Sequence, residues 1–472
     1  QHVGGAFWCA TERRRLVDGP EAAADMLRGH LDMLGPATVA DLAAASGLAP
    51  SDAEMALLQL ENEGFALRGR FTDPAGTDLT GTVEFCARRL LTRIHAYARE
   101  RKRREIEPVT PQDFMRFLLR WQHVADGTRR EASPGVASVV EQLQGFELAA
   151  GAWEESVLAA RVTGYQREWL DGLCLSGEVS WGRLSLRHDD AEDVPRGRGL
   201  SPSRATPITL AIREDLPWLL RAARGDRAPV PPGPGQTRDV LSVLADRGAL
   251  FPPDLAALAG QAPGAVTEAL WEGVARGLVT ADGFRAVRSL LAGRLLASAT
   301  FAPARPRLRR AGQHATRAGG RWSLLPPAAT DDDPDELAEA VAEQLAARWG
   351  VVFRDLLARE NIAVPWRDVL WAFRRLEARG LVRGGRFVNG FSGEQYAHPD
   401  AVDVLREVRK RPRAGETVRL SAVDPLNLAG VILPGPRIPA VLTNTVTYVD
   451  GAVRPDRESR ADLPSTPAVP AG

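Results

Sequence analysis

The stretch Trp371–Val388 reads Trp-Ala-Phe-Arg-Arg-Leu-Glu-Ala-Arg-Gly-Leu-Val-Arg-Gly-Gly-Arg-Phe-Val. Phe373, Leu376 and then Leu381 put apolar groups on one inner side, so its first half is an amphipathic helix. Gly380 stands where helices commonly end in a left-handed residue, and Gly384-Gly385 suits a tight hairpin turn between two short strands. Helix, glycine stop, strand, turn and strand together make the closing half of a winged helix. The order recurs loosely at Leu57–Phe71, Trp169–Leu184 and Leu270–Phe284, with Gly64, Gly177 and Gly277 in the place of Gly380. The copies lie about a hundred residues apart, too far and too uneven for a solenoid but suited to tandem small domains with insertions.

A chain of 472 residues accommodates roughly three or more such domains. No apolar run approaches the ~20 residues of a membrane span, so no membrane partner is expected. Sixty Lys and Arg balance sixty Asp and Glu, which gives no global pull towards nucleic acid. The cations are nearly all arginine, Lys102 and Lys410 being the lysines. Abundant Ala, Gly and Pro beside them fit a GC-rich genome, so arginine counts carry little functional weight. Cys9, Cys86 and Cys174 lie far apart, which argues against a zinc ribbon or disulfide framework and fits a reducing cytoplasm. The histidines never pair at metal-ligand spacing, and no metal is expected. Gln1–Arg15 reads as the tail of a preceding folded part, with no signal-peptide pattern, so a fragment of a longer polypeptide is expected.

The expected fold is mainly α with small β: tandem winged helices followed by a C-terminal β-barrel. Residues 1–18 are the tail of a preceding domain and 19–80 a first winged helix. Residues 81–226 hold a long basic helix and an elaborated second winged helix; 236–330 hold a third, with a basic loop. Residues 331–412 are a fourth, 413–455 the barrel and 456–472 a disordered tail. Ser51 with Glu54 suggests a capping box on the third helix of the first copy, and Thr110 with Pro111 a capped start further on. From Thr417, short runs such as Gly430–Leu433, Ala440–Leu442 and Thr445–Val449 read as strands.

Charge sorts the copies. The third helix of the first carries Asp52, Glu54, Glu61 and Glu63, which repel phosphates, so that copy is structural or protein-facing. Glu84–Ile106 carries Arg88, Arg89, Arg93, Arg99, Arg101, Lys102, Arg103 and Arg104 over more than one face, as either a solvated linker or a phosphate-contacting helix. Arg305, Arg309 and Arg310 sit in a basic loop. The third helix of the fourth copy, with Arg367, Arg374, Arg375 and Arg379, is the copy best suited to touch a backbone.

Four long stretches resemble the C-terminal domain of the bacterial Lhr (large helicase-related) superfamily-2 helicases. They begin at Glu105-Ile-Glu-Pro-Val-Thr-Pro-Gln-Asp-Phe, Glu141-Gln-Leu-Gln-Gly-Phe-Glu, Leu173-Cys-Leu-Ser-Gly-Glu-Val-Ser-Trp and Ser421-Ala-Val-Asp-Pro-Leu-Asn. The resemblance implies winged helices and a β-barrel placed after an ATP-dependent 3′-to-5′ DNA translocase of DNA repair. It implies DNA as partner, whether single-stranded, forked or an RNA–DNA hybrid. It also implies a helicase core in cis, a homo-oligomer with a tetramer among the options, and a cytoplasmic, nucleoid-associated location. The motor is missing: there is no Gly-x-x-x-x-Gly-Lys-[Ser/Thr], and neither lysine follows a glycine. ATP and magnesium therefore belong to the absent motor, and no cofactor is expected here.

The family also resembles winged-helix DNA glycosylases, and uracil-DNA glycosylase activity is attributed to some members. Base removal needs an extruded base and a carboxylate that orients water or stabilises the cationic sugar. Asp424 is one candidate; the alternative for it is an Asx turn before Pro425. Gln142 and Gln144, in Gln-Leu-Gln, resemble the glutamine pattern of alkylpurine glycosylases, and also read as packing residues near a helix end. His123, after the helix ending at Trp121, reads more simply as a hydrogen-bonded structural residue. Three functions compete: nucleic-acid binding with assembly, which is favoured, then a uracil-type glycosylase, then a pure protein scaffold.

Overall fold

The computed structural model describes residues 2–3, 7–8, 22–72, 83–104, 107–186, 204–289, 291, 320–329 and 333–454. Two compact units divide at Ile106.

The first unit packs the helices Ala22–Leu34, Val39–Ser46 and Pro50–Asn62 against a three-stranded sheet. Leu27, Leu31, Leu42, Leu57 and Leu60 form its fully buried core. The closing strand is Glu84–Ala87, paired in antiparallel register with Ala66–Gly69 and with Ala37–Thr38. This winged helix therefore runs past the expected boundary at 80, and the second strand is not the one expected around Phe71. The capping box forms one helix earlier than expected. Thr38 Oγ1 accepts from Asp41 N–H, and Asp41 accepts from Thr38 N–H. The third helix instead starts on Pro50 with Ala49 at its cap and no side-chain cap. Proline preorganises that first turn and has no N–H to satisfy.

The second unit holds three further copies. In the first of these, Pro111–Trp121, Ala132–Leu143 and Arg167–Leu175 pack on strands Leu148–Ala149, Pro207–Ile212 and Val179–Gly182, the middle-named strand lying centrally. Thr110 caps it as expected, accepting from Asp113 N–H at 3.1 Å. A π-helical turn, Trp153–Leu158, is inserted between the second and third helices. The next copy has helices Gln236–Arg247, Pro252–Ala259 and Pro263–Ala275. Its strand Val279–Ala281 pairs with Trp322–Leu324, a strand beyond the basic segment. The last copy comprises Pro334–Trp349, the 3-10 turn Arg354–Arg359, Trp366–Ala378, and strands Val351–Val352, Gln395–Ala397 and Arg383–Gly385.

All four stop glycines have positive φ, at 72°, 86°, 70° and 79° for Gly64, Gly177, Gly277 and Gly380. After three of them the next N–H reaches back six residues inclusive: Phe65 to Leu60 O, Leu278 to Gly273 O and Leu381 to Leu376 O. That bond closes the orphan carbonyls of a helix end, and it needs the left-handed residue between. Gly384 and Gly385, in contrast, are not a turn. They lie in the strand itself, opposite Tyr396 and Gln395, and the wing turns beyond them.

The C-terminal segment is a three-stranded antiparallel meander rather than a closed barrel: Thr417–Ser421, Thr445–Val449 and Ala452–Val453. Gly430–Leu433 and Ala440–Leu442 are turn and extended chain instead of strands. Proline and glycine flank both runs, and Asn427 holds the connection by donating to Ala422 O and Ile438 O.

Candidate nucleic-acid interface and central cleft

In the first unit the helix Arg88–Arg104 leaves the sheet directly after Ala87. Leu91 is its last buried residue among those whose side chains are described, and Thr92–Tyr97 are exposed all round. Arg89 and Arg93 pair with no acid among the described residues, and Tyr97 is 75% exposed. A helix solvated on every side, with cations around it, presents charge without a core-facing stripe. The side chains of Arg101, Lys102, Arg103 and Arg104, and all of Arg305, Arg309 and Arg310, lie outside the described residues.

The third helix of the last copy does not offer free cations. Arg374 forks onto Glu394 through Nε (3.1 Å) and Nη2 (3.2 Å). Arg375 pairs with Asp335 and Glu339, Arg379 also with Glu339, and Arg367 with its neighbour Asp368. Asp335 and Glu339 belong to the first helix of the same domain, so this surface is largely neutralised internally. The sequence emphasis on Arg367, Arg374 and Arg375 is thus corrected: their charges are already paired.

Other cations are better placed. Arg383 and Arg386, on the wing, are exposed and pair with no described acid. Beside the wing runs Glu107–Thr110: Val109 N–H donates to Phe387 O, and Asn389 N–H to Val109 O. Glu107 in turn pairs with Arg409, on the last turn of the helix Pro399–Lys410. The exposed run Arg406, Arg409, Lys410, Arg411 and Arg413 shares one neighbourhood with the wing, but Arg406 pairs with Asp403, Arg409 with Glu107, Arg411 with Glu407 and Arg413 with Asp113, so Lys410 is the cation of this run that pairs with no described acid. Its density was legible in the sequence; its neighbour, 20 residues upstream, was not.

The glycosylase candidates sit in a different setting. Asp424 is 1% exposed, and its oxygens accept from Arg161 Nη1 at 2.7 Å and Nη2 at 2.8 Å. Leu426 N–H also donates to Asp424 Oδ1 at 2.9 Å, the turn bond that was the alternative reading. Arg161, fully buried, further donates to Gln122 Oε1 and Val157 O. Gln122 Nε2 reaches Arg348 O, and Arg348 bonds Glu360 and Gln144 O. This network ties the meander to two winged helices. A carboxylate with its oxygens occupied and no exposed surface is placed to hold the fold, not to orient water at a sugar.

Gln142 and Gln144 line a cleft of about 480 Å³ with Trp121, His123, Trp218 and His398. Gln144 is fully engaged: Nε2 donates to Asp215 Oδ2 (2.7 Å) and Gln344 Oε1 (3.1 Å), and Oε1 accepts from Ile212 N–H. Gln142 Nε2 donates to Trp121 O, while its Oε1 is enclosed without a partner. His123 is one of few non-glycine residues with positive φ, at 61°. Its Nε2 accepts from Arg130 Nε at 3.2 Å, so the proton sits on Nδ1, which lies 3.1 Å from Thr128 O. Burial, and then the Arg130 charge, pull its pKa down to about 4. Among the described residues no group of three or more His, Cys, Asp or Glu could hold a metal ion.

Residues 109–194 and 331–417 match two family models, each described as large helicase-related protein, winged-helix domain. Two relatives align over most of the chain. One is the Lhr helicase/probable uracil glycosylase of Mycolicibacterium smegmatis, 30% identical over 87% of the chain. The other is the Lhr helicase/uracil glycosylase of Escherichia coli, 31% identical over 76% of it. The chain belongs to the large helicase-related family. It spans about a quarter of the length of these relatives, 27% and 24% respectively. Among solved structures, the Streptomyces sahachiroi DNA glycosylase AlkZ aligns with TM-score 0.43 and 11% identity, over 74% of this chain and 87% of that one.

Proposed function

We propose that this region of a large helicase-related protein grips the sugar-phosphate backbone of DNA while its winged helices serve as spacers and protein-facing modules. The observation that carries the reading is the helix Arg88–Arg104, exposed on all sides over Thr92–Tyr97, with Arg89 and Arg93 pairing with no acid among the described residues. Cations held this way contact phosphates without reading bases, so binding is sequence-tolerant and falls steeply with salt. The wing residues Arg383 and Arg386, with Lys410 beside them, add a second patch within the other unit. ATP chemistry lies outside the proposal, since no residue pattern here can cradle a nucleotide's phosphates.

Assembly is part of the same proposal. The acidic third helix of the first winged helix exposes Met55 (66%) and Leu58 among Asp52 and Glu54, a surface suited to a protein rather than to phosphate. Fluorescence anisotropy with single-stranded and forked oligonucleotides at low salt tests the first element. No binding by the folded chain rejects it. Light scattering at micromolar concentration tests the second, and a strict monomer rejects self-association.

A second reading, removal of a flipped base, is favoured by the cleft at Gln142. Its volume accommodates a nucleobase, two tryptophans flank it, and Gln142 Oε1 is an enclosed acceptor without a partner. The two relatives are named as a probable uracil glycosylase and a uracil glycosylase. Incubation with uracil-containing DNA followed by alkaline cleavage is the test. Product lost in Gln142→Ala supports this reading, and absence of product from the unaltered chain removes it.

A further inference from the structure

A second cleft, of about 300 Å³, opens where the meander meets the first winged helix of the second unit. Leu148 lines it from one side and Val423, Val441 and Leu442 from the other, with Phe146 and the carboxylate of Glu147 also in its wall. One cation enters it, Arg359, at the end of the 3-10 turn Arg354–Arg359. Arg359 Nε is enclosed and has no hydrogen-bond partner, and no described acid pairs with its guanidinium.

The nearby carboxylates are spoken for. Glu147 accepts from Leu184 N–H, Ser185 N–H and Asn361 Nδ2. Asp424 is taken by Arg161, and Glu360 by Arg348 and Trp349. Burial pulls the Arg359 pKa down, which Asp424 and Glu360 offset only in part. Half-buried charges are normally paired, and among the described residues no carboxylate pairs with this guanidinium, so it is available to an anion.

The walls select among anions. A phosphate group spreads its charge over several oxygens and needs several donors, whereas the cleft offers one fork. A base would need an aromatic face, but Phe146 is buried and carries the guanidinium groups of Arg348 and Arg359 at 5.6 Å and 6.0 Å from its ring centre. A planar carboxylate matches a single guanidinium with two parallel hydrogen bonds, and an aliphatic side chain beside it matches the walls. The volume holds roughly one or two residues, at the lower end for a ligand pocket. We propose that this cleft binds the free C-terminal carboxylate of a partner protein whose last residue is aliphatic, with Arg359 as the carboxylate receptor and Leu148, Val423, Val441 and Leu442 as the side-chain pocket.

The test uses the full chain and a panel of fluorescein-labelled hexapeptides ending in Leu, Val or Ile, each made as the free acid and as the amide. The free acid is expected to bind at least ten-fold tighter than its amide. Arg359→Gln is expected to abolish that difference. Val441→Asp, at a position 47% exposed on the rim, leaves folding intact and is expected to weaken acid binding by at least ten-fold. Arg238→Gln, on the exposed face of the helix Gln236–Arg247, leaves it unchanged. Thermal melts establish that each variant is folded. Equal binding of acid and amide, or no binding of any free acid at millimolar peptide, overturns the proposal. So does a single-stranded oligonucleotide that binds through Arg359 while the peptides do not.

Discussion

Asp424→Ala is the sharpest perturbation available, because it removes one half of a closed ion pair. Arg161 is 0% and Asp424 1% exposed, and two hydrogen bonds below 3 Å join them. After substitution the guanidinium keeps only Gln122 Oε1 and Val157 O, both neutral acceptors. A buried charge stripped of its partner costs about 3–5 kcal/mol. Loss of the Leu426 N–H bond to Oδ1 adds about 1 kcal/mol. At roughly 1–2 °C per kcal/mol for a cooperative unit as large as the second one, the melting midpoint should fall by about 5 °C or more. Calorimetry or chemical denaturation reads this directly. The paired replacement Arg161→Met with Asp424→Leu should recover most of the loss, since burying two charges is itself expensive. A stability change under ~1 kcal/mol for Asp424→Ala would refute the reasoning and reopen a solvent-facing role for the carboxylate. Lost base-removal activity in Asp424→Ala, taken alone, would not identify a catalytic residue.

Three further outcomes are expected. Replacing Arg88, Arg89 and Arg93 by Ser should make the plot of log affinity against log salt shallower by about 2–3 in anisotropy titrations, at roughly 0.7–0.9 for each phosphate left unneutralised. His123 should stay neutral until about pH 4 by NMR. An unfolded histidine takes up its proton near pH 6.5, so the unfolded state binds more protons in that window. The stability contribution of His123 is therefore lost as pH falls from about 6.5 to 4, and His123→Gln should remove that slope. Among the stop glycines, Gly380→Ala meets no atom within 4 Å and should cost only the ~1–2 kcal/mol of left-handed strain. Gly277→Ala places a methyl 2.8 Å from Arg224 Nη2 and 2.9 Å from Arg183 O, and should cost ~1–3 kcal/mol more in denaturant melts.

Local chemistry was enough to place most elements. A glycine that must turn left-handed, a threonine ahead of a proline, and apolar residues at helical spacing each act within one turn of chain. That is why Gly64, Gly177, Gly277, Gly380 and Thr110 could be read directly, and with them the repeated winged helix. Ser51 misled because a proline beside it already starts the helix, and the capping box formed at Thr38–Asp41 instead. Gly384-Gly385 misled because a glycine pair serves a strand as readily as a turn. Only its pairing with Gln395–Ala397 settled which.

The fate of each charge was a tertiary matter. Nothing in the sequence near Asp424 announces Arg161, 263 residues earlier, and nothing near Arg375 and Arg379 announces Glu339, across two packed helices. Whether an arginine meets phosphate, a neighbouring acid or a largely aliphatic cleft depends on which surfaces the fold brings within a few ångströms. Electrostatic energy varies over that short range, and sequence order alone does not encode it.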